Sequence, residues 1–242
     1  MSALRFLGLI LGGILVAGCV AVPALTTLRG SGNTVTNEYD YDGFTRVEVG
    51  SAFQVEIVQA ESYSVSVTVD DNIVEHLEVS KSGNTLRIGL KPLVRLGFGN
   101  VTLKARISLP TLEGLNLSGA TTGNVSGFSS DAALNIDVSG ASTLRGDIRA
   151  GNTRVDASGA STVRLDGQAG SLDVVASGAS TADLEDFAAA DVRVEASGAS
   201  RAVVNVNGRL DAEASGASSV RYVGEPTSVN SDTSGASSIE EK

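Results

Sequence analysis

Tryptophan is absent from this sequence, and cysteine, histidine and methionine occur once each. A lone cysteine, Cys19, cannot close an internal disulfide, so no cystine framework holds the fold together. A lone histidine, His76, with no second cysteine to join it, leaves no ligand set for a zinc ion. Aromatic residues make up only 4% of the 242 residues, although 42% of the chain is hydrophobic. Any core must therefore be thin and built from Val, Leu, Ile and Ala, which suits a narrow all-β solenoid better than a thick globular interior. Basic charge is also in short supply. The net charge is -10 with no basic stripe to offset it, and a field of that sign repels phosphate backbones, which argues against nucleic acid as a partner. Helical periodicity is missing too, since no window of about 11 residues repeats its apolar positions at helical spacing.

The longest apolar run lies at the start. Arg5 precedes FLGLILGGILVAGC (Phe6 to Cys19), which has the charged start, greasy middle and small-residue end of an export signal. Val16, Ala17, Gly18 and Cys19 resemble a bacterial lipobox, in which the cysteine receives a diacylglycerol and becomes a membrane anchor. A rival reading is an uncleaved membrane helix, because the run continues through AVPAL to about 20 residues; Pro23 and the pair Gly12 and Gly13 weaken it. Both readings place the rest of the chain outside the cytoplasm. Val20 lacks the aspartate associated with inner-membrane retention, which favours the outer membrane in a cell with two. The expected organisation is a signal peptide with lipobox over 1–18, a tether over 19–42, irregular β-coils over 43–111, and a regular repeat over 112–242 continuous with them.

What the chain has in abundance is a period. The tetrapeptide SGAS, or SGAT in the first copy, begins at Ser118, Ser139, Ser158, Ser177, Ser197, Ser215 and Ser234, at intervals of 18 to 21 residues. A catalytic loop needs one copy in one special environment, whereas a repeat of this length is the signature of stacked coils. Alternation through VDASGASTVRL puts Val155, Ala157, Gly159, Ser161, Val163 and Leu165 on the core face, and Asp156, Ser158, Ala160, Thr162 and Arg164 on the other. Glycine between small residues suits a sharp bend. Seven levels at ~4.8 Å each make a stack on the order of 34 Å.

Stacking predicts columns. Two positions before each motif stand Asn116, Asp137, Asp156, Val175, Glu195, Glu213 and Asp232; four before, from the second copy, stand Asn135, Arg154, Asp173, Arg193, Asp211 and Asn230. The second column alternates in sign, which would pair Arg with Asp up the wall and disfavour slippage by one coil. The acidic column could meet a hard cation, but a solvated face that keeps the stack soluble is the simpler account. EYDYDG (Glu38 to Gly43) has part of a calcium loop, with Val49 where the closing glutamate belongs. A third column holds Arg145, Arg164 and Arg221, interrupted by Asp183 and Val203. Ser158, Ala160 and Thr162 are expected to share a flat strip of small residues. His76, in NIVEHLEV, is expected on the surface of a strand. With no G-x-S-x-G turn, no catalytic, cofactor or metal residue is assigned, and Cys19 is the one functional residue proposed.

Gly30-Ser31-Gly32-Asn33, Asp42-Gly43-Phe44, Phe53-x-Val55-x-Ile57, Tyr63-x-Val65-x-Val67 with Asp70-Asp71-Asn72-Ile73, Gly83-Asn84-Thr85-Leu86, and Leu109-Pro110-x-Leu112 leading into Leu117-Ser118-Gly119-Ala120 resemble, in order and spacing, the bacterial GIN-domain family of autotransporter-adhesin heads. The resemblance covers most of residues 30 to 237. It implies a right-handed parallel β-helix on an exported or lipid-anchored protein, and carries over no binding residues. The sequence departs from an autotransporter in that SGASSIEEK, from Ser234, holds no barrel strand. The function expected is non-enzymatic: adhesion or surface scaffolding through a repetitive outer wall, with a glycan or protein ligand. Self-association through the terminal coil is expected from its open edge. A polysaccharide-binding or polysaccharide-cleaving β-helix is the alternative, and it predicts a pocket where two or more carboxylates converge.

Overall fold

The computed structural model describes residues 26–92, 94–97 and 99–242, so Cys19 and the apolar run that precedes it lie outside the described residues. The N-terminal part contains β1 (Thr26–Leu28), β2 (Thr34–Tyr39), β3 (Arg46–Val49), β4 (Gln54–Gln59), β5 (Ser64–Asp70), β6 (Leu77–Ser82), β7 (Thr85–Leu90), β8 (Val94–Leu96) and β9 (Leu103–Leu109). The repeat contributes β10 (Gly114–Leu117), β11 (Thr122–Ser129), β12 (Leu134–Val138), β13 (Thr143–Ala150), β14 (Thr153–Ala157), β15 (Thr162–Ala176) and β16 (Thr181–Ala196). It closes with β17 (Arg201–Val206), β18 (Arg209–Ala214), β19 (Ser219–Val223), β20 (Ser228–Thr233) and β21 (Ser238–Glu241). Among the described residues no helix is long and apolar enough to cross a membrane.

The pairings sort these strands into two walls of a parallel β-solenoid. One wall runs β7, β3, β10, β12, β14, the second half of β15, the second half of β16, β18, β20. The facing wall runs β9, β4, β11, β13, the first half of β15, the first half of β16, β17, β19, β21. Each SGAS carries the chain from the first wall to the second. Alternation then decides burial on both: Leu115, Ile136, Val155, Val174, Val194 and Ala212 form one buried column, and Leu144, Val163, Ala182, Ala202 and Val220 another. The core is as thin and aliphatic as the composition requires. Phe187 fills the space over Gly167, which it pairs in register and where a side chain would meet the Ile148 carbonyl.

The repeat extends further toward the N-terminus than the motif does. β3 and β4 lie directly under β10 and β11, and between them Gly50-Ser51-Ala52-Phe53 makes the same bend, with the Ala52 amide donating to the Gly119 carbonyl at 2.9 Å. Here Ser51 and Ala52 adopt positive φ without glycine, so the letters hide the bend. β7 and β9 add one more parallel rung beneath β3 and β4, and below it the direction reverses. β6 adds antiparallel to β7 on one wall, and on the other β5 adds antiparallel to β9 and β2 antiparallel to β5, at this end of the core.

Two expectations change here. Residues 26–42, expected as a tether, include β1, paired with β8, and β2, paired with β5. His76 is not on a strand: Asp71–His76 is a 3-10 helix that turns Ile73 into the core. Asp70-Asp71-Asn72 is a sequence that strands disfavour, and its side chains bond across to residues 29–32 and 102 rather than to the local backbone, so the apolar alternation after it is misleading. At the opposite end the last rung is mixed on its inward side: Ser231 and Thr233 follow Ala212 and Ala214, whereas Val229 and Ile239 follow Leu210 and Val220, and β20 is exposed throughout. The two hydroxyl residues reduce the apolar surface that an open stack would otherwise present, and Val229 stays 44% exposed.

Candidate functional site: the outer walls and a polar groove

The bends come first, because SGAS is the most repeated chemistry in the chain. Gly119, Gly140, Gly159, Gly178, Gly198, Gly216 and Gly235 all have φ between 65° and 77°, the left-handed region. The Ala after the glycine donates its amide to the glycine carbonyl one rung below in five copies, at 2.7–2.8 Å, so the ladder continues around the corner. Gly159 is exposed rather than inward, because alternation stops at the bend and resumes with the second serine. The small residues do not form one flat strip either: Ser158 and Ala160 sit on the bend, while Thr162 opens the second wall.

The second serine of each motif turns inward. Ser161, Ser180, Ser200 and Ser218 are almost fully buried, and their hydroxyls donate to the carbonyls of Val138, Ala157, Ala176 and Ala196 at 2.9–3.1 Å. A hydroxyl committed to a carbonyl in the core has no base to activate it and no access to substrate. Ser180→Ala is expected to cost about 1 kcal/mol in chemical denaturation, since the Ala157 carbonyl keeps the Ser177 amide as a donor. A fluorophosphonate probe should label none of these serines. His76, whose imidazole lies 3.3 Å from Glu75, belongs to the cap and not to the bends.

On the first wall the predicted columns stack in register, from Asn116 through Asp137, Asp156, Val175, Glu195 and Glu213 to Asp232. The ion pairs only partly follow the vertical pattern. Arg154 pairs upward with Asp173, as expected, but Arg193 turns sideways to Glu195 at 2.7 Å and diagonally to Glu213 at 3.2 Å instead of continuing to Asp211. The column of carboxylates attracts the long guanidinium more strongly than the single carboxylate above it. Partial burial, with Asp156 as its neighbour, raises Asp137 above the ordinary carboxylate value of 3.8. No cluster of three or more His, Cys, Asp or Glu side chains suited to a metal occurs among the described residues.

The second wall carries a groove of about 690 Å³ on its outer face near the N-terminal end. It crosses β2, β5, β9, β4 and β11 at successive rungs, so its lining falls into two rows. One row is Thr36, Thr68, Lys104, Gln54 and Thr122; the other includes Ser66, Arg106, Glu56 and Asn124. Thr36 and Thr68 share a hydroxyl hydrogen bond of 2.8 Å, and Arg106 holds Glu56 through both Nε and Nη2, at 3.1 and 2.7 Å. The second row continues up the wall as Arg145, Arg164, Asp183, Val203 and Arg221, with Arg164 bonded to Asp183. The predicted column therefore exists, as the extension of a groove that its letters did not announce.

The structure also brings together two fragments that the sequence shows only as separate motifs. Asp70, 1% exposed, accepts the Gly32 amide at 2.9 Å on one carboxylate oxygen and the Thr102 amide at 2.7 Å on the other. Asn72 accepts the Ser31 amide and donates to the Arg29 carbonyl, and Asp71 donates its own amide to the Asn33 carbonyl. A side chain at Gly30 would stand 2.4 Å from the Asn100 carbonyl. Gly30-Ser31-Gly32-Asn33 and Asp70-Asp71-Asn72 are thus two halves of one clasp across the cap. Buried acid beside glycine-rich sequence was the available signal.

Two polar walls on an aliphatic β-solenoid, with every interior strand paired on both sides, define a repeat-built domain that presents side chains, not strand edges, along its walls. The chain belongs to the family described as "Putative auto-transporter adhesin, head GIN domain", whose model matches residues 43–226. Among solved structures it is similar to a "putative adhesin" from Bacteroides fragilis NCTC 9343 (TM-score 0.82, 21% identity, covering 89% of this chain and 100% of that one). It is also similar to a "putative adhesin" from Parabacteroides merdae ATCC 43184 (0.68, 18%, 90% and 99%) and a "putative lipid binding protein" from Parabacteroides distasonis ATCC 8503 (0.67, 20%, 90% and 100%). At these identities the likeness is one of fold. No curated protein matches the chain.

Proposed function

We propose that this chain is a non-enzymatic cell-envelope protein, held by lipid on Cys19, that uses its repeated outer wall for adhesion or surface scaffolding. The observation that carries this reading is the wall itself: rung after rung, backbone groups are used up in the ladder and the same positions project polar side chains. Membership of an adhesin-described family supports it. The groove favours binding over cleavage, because its one carboxylate, Glu56, is engaged by Arg106, whereas glycoside hydrolysis ordinarily needs two carboxyl groups. Anchoring at Cys19, followed by Val20, points to the outer membrane in a cell with two.

Mass spectrometry of the mature N-terminus is expected to find a lipid-modified Cys19, and Cys19→Ala should release the protein from membranes. Cells carrying the wild-type chain should attach to a host or abiotic surface more strongly than cells carrying Cys19→Ala. An unprocessed N-terminus, or attachment unaffected by loss of the chain, would sink the proposal.

A further inference from the structure

We infer that the groove on the second wall is a binding site for a neutral, linear polysaccharide, laid along the solenoid axis across β2, β5, β9, β4 and β11. This rests on the adhesion reading and gives its wall a ligand. The size fits: about 690 Å³ lies within the range of small-ligand clefts, and the groove is open at the surface as a polymer requires.

The lining selects the chemistry. Gln54, Asn124 and Thr122 are exposed and make no side-chain hydrogen bond among the described residues, so amide and hydroxyl groups stand ready at adjacent rungs. Arg106 and Glu56 form a compensated pair that offers spare donors and an acceptor side by side, the combination that a pair of neighbouring sugar hydroxyls can answer. Row members recur every ~4.8 Å along the axis, so a polymer of regular, hydroxyl-bearing units can repeat its contacts from rung to rung.

The other ligand classes fit less well. β5, β9, β4 and β11 are paired on both sides, so the floor of the groove offers a peptide no strand edge to extend; the one unpaired edge, that of β2, lies at its end. The projecting side chains of the lining are polar, which gives a lipid chain or a hydrophobic peptide anchor nothing to bury. Charge nearly balances over the patch: Lys104, Arg106 and Arg145, the last a row neighbour at one end, stand against Glu56 and, at the other end, Glu38, which leaves one cation in excess within a chain of net charge -10. An acidic polymer would gain little locally and meet repulsion at longer range.

Affinity electrophoresis of the full chain through gels containing dextran, mixed-linkage β-glucan, arabinoxylan or galactomannan, and separately polygalacturonate, tests the inference. Retardation is expected by at least one neutral polymer, with an apparent affinity that changes less than about twofold between low and high salt, since little counterion release accompanies neutral binding. The double variant Gln54→Ala with Asn124→Ala should weaken it about tenfold, through the loss of two hydrogen bonds to the polymer. The pair Asn135→Ala with Arg154→Ala on the opposite wall should leave it unchanged. All four side chains project from exposed positions, and equal melting temperatures check that the fold is intact.

Retardation by none of the neutral polymers, by polygalacturonate alone with steep salt dependence, or equally by the groove variant would overturn the inference. Cells that attach through the chain while the groove double variant attaches as well as wild type would overturn it too, and leave the adhesion reading standing.

Discussion

Gly178→Val is expected to lower the melting temperature by roughly 10 °C, the equivalent of more than ~3 kcal/mol for a domain of this size. Gly178 sits at φ +72, and a Cβ there would lie 2.7 Å from the Gly159 carbonyl oxygen and 3.2 Å from the Gly159 amide nitrogen. Two costs combine. A β-branched residue is strained in the left-handed region, by about 1–3 kcal/mol. The atoms in the way are backbone of the rung below, so relief requires the rungs to part, which stretches the amide of Ala179 from the Gly159 carbonyl, now 2.7 Å away. Because each rung contacts only its neighbours, damage at Gly178 divides the stack, and unfolding should lose cooperativity or show two phases. Gly83→Ala is the control. Gly83 has φ +59, and a Cβ there would meet nothing within 4 Å, so strain alone remains, about 1 kcal/mol. Equal effects of the two substitutions would mean that the bends are not in contact.

Asp70→Ala is expected to cost about 3 kcal/mol, measured by chemical denaturation. The carboxylate satisfies the amides of Gly32 and Thr102 at once, and hydrogen bonds to a charged acceptor contribute about 1.5–3 kcal/mol each before the structure relaxes. Relaxation is limited at Gly32, because Gly30 packs against the Asp70 carboxylate and the Asn100 carbonyl. Asp70→Asn should recover less than half the loss, since its amide group turns one donor toward another donor. Limited proteolysis provides a second readout: cleavage within residues 29–33 should accelerate in both variants while the SGAS rungs stay protected. Unchanged proteolysis at that segment would show that the clasp does not hold the cap.

Much of the fold was legible because it is written in local rules. Val155, Ala157, Ser161, Val163 and Leu165 are buried as alternation requires, and the glycines of SGAS take the positive φ that a bend demands. The columns followed as well, since a repeat of near-constant length brings equivalent residues into register. The failures occur where a local rule has a competitor. Ile73 and His76 alternate like a strand, but Asp70, Asp71 and Asn72 are tied to Ser31, Gly32 and Thr102 across the cap, and a 3-10 helix forms there instead. Ser51 and Ala52 bend without glycine, so the motif misses the bend directly beneath its first copy. Arg193 was expected to pair along its own column, yet its reach spans to the next one, where Glu195 and Glu213 stand.

The sequence by itself determined the period, the thin aliphatic core, the inward side chains of the strands and the place of each SGAS bend, because these depend on dihedrals and on neighbours a fixed number of residues away. Only the tertiary structure decided that β5 and β2 add antiparallel beneath the parallel rungs, that Gly32 and Thr102 meet on Asp70, and that Thr36, Lys104, Gln54 and Asn124 line one groove. Those residues lie up to 88 positions apart, from Thr36 to Asn124, and all but Asn124 belong to the part of the chain without a repeat. No periodicity relates them there, and the pairing of strands distant along the chain is settled by the packing of the whole cap rather than by any segment within it.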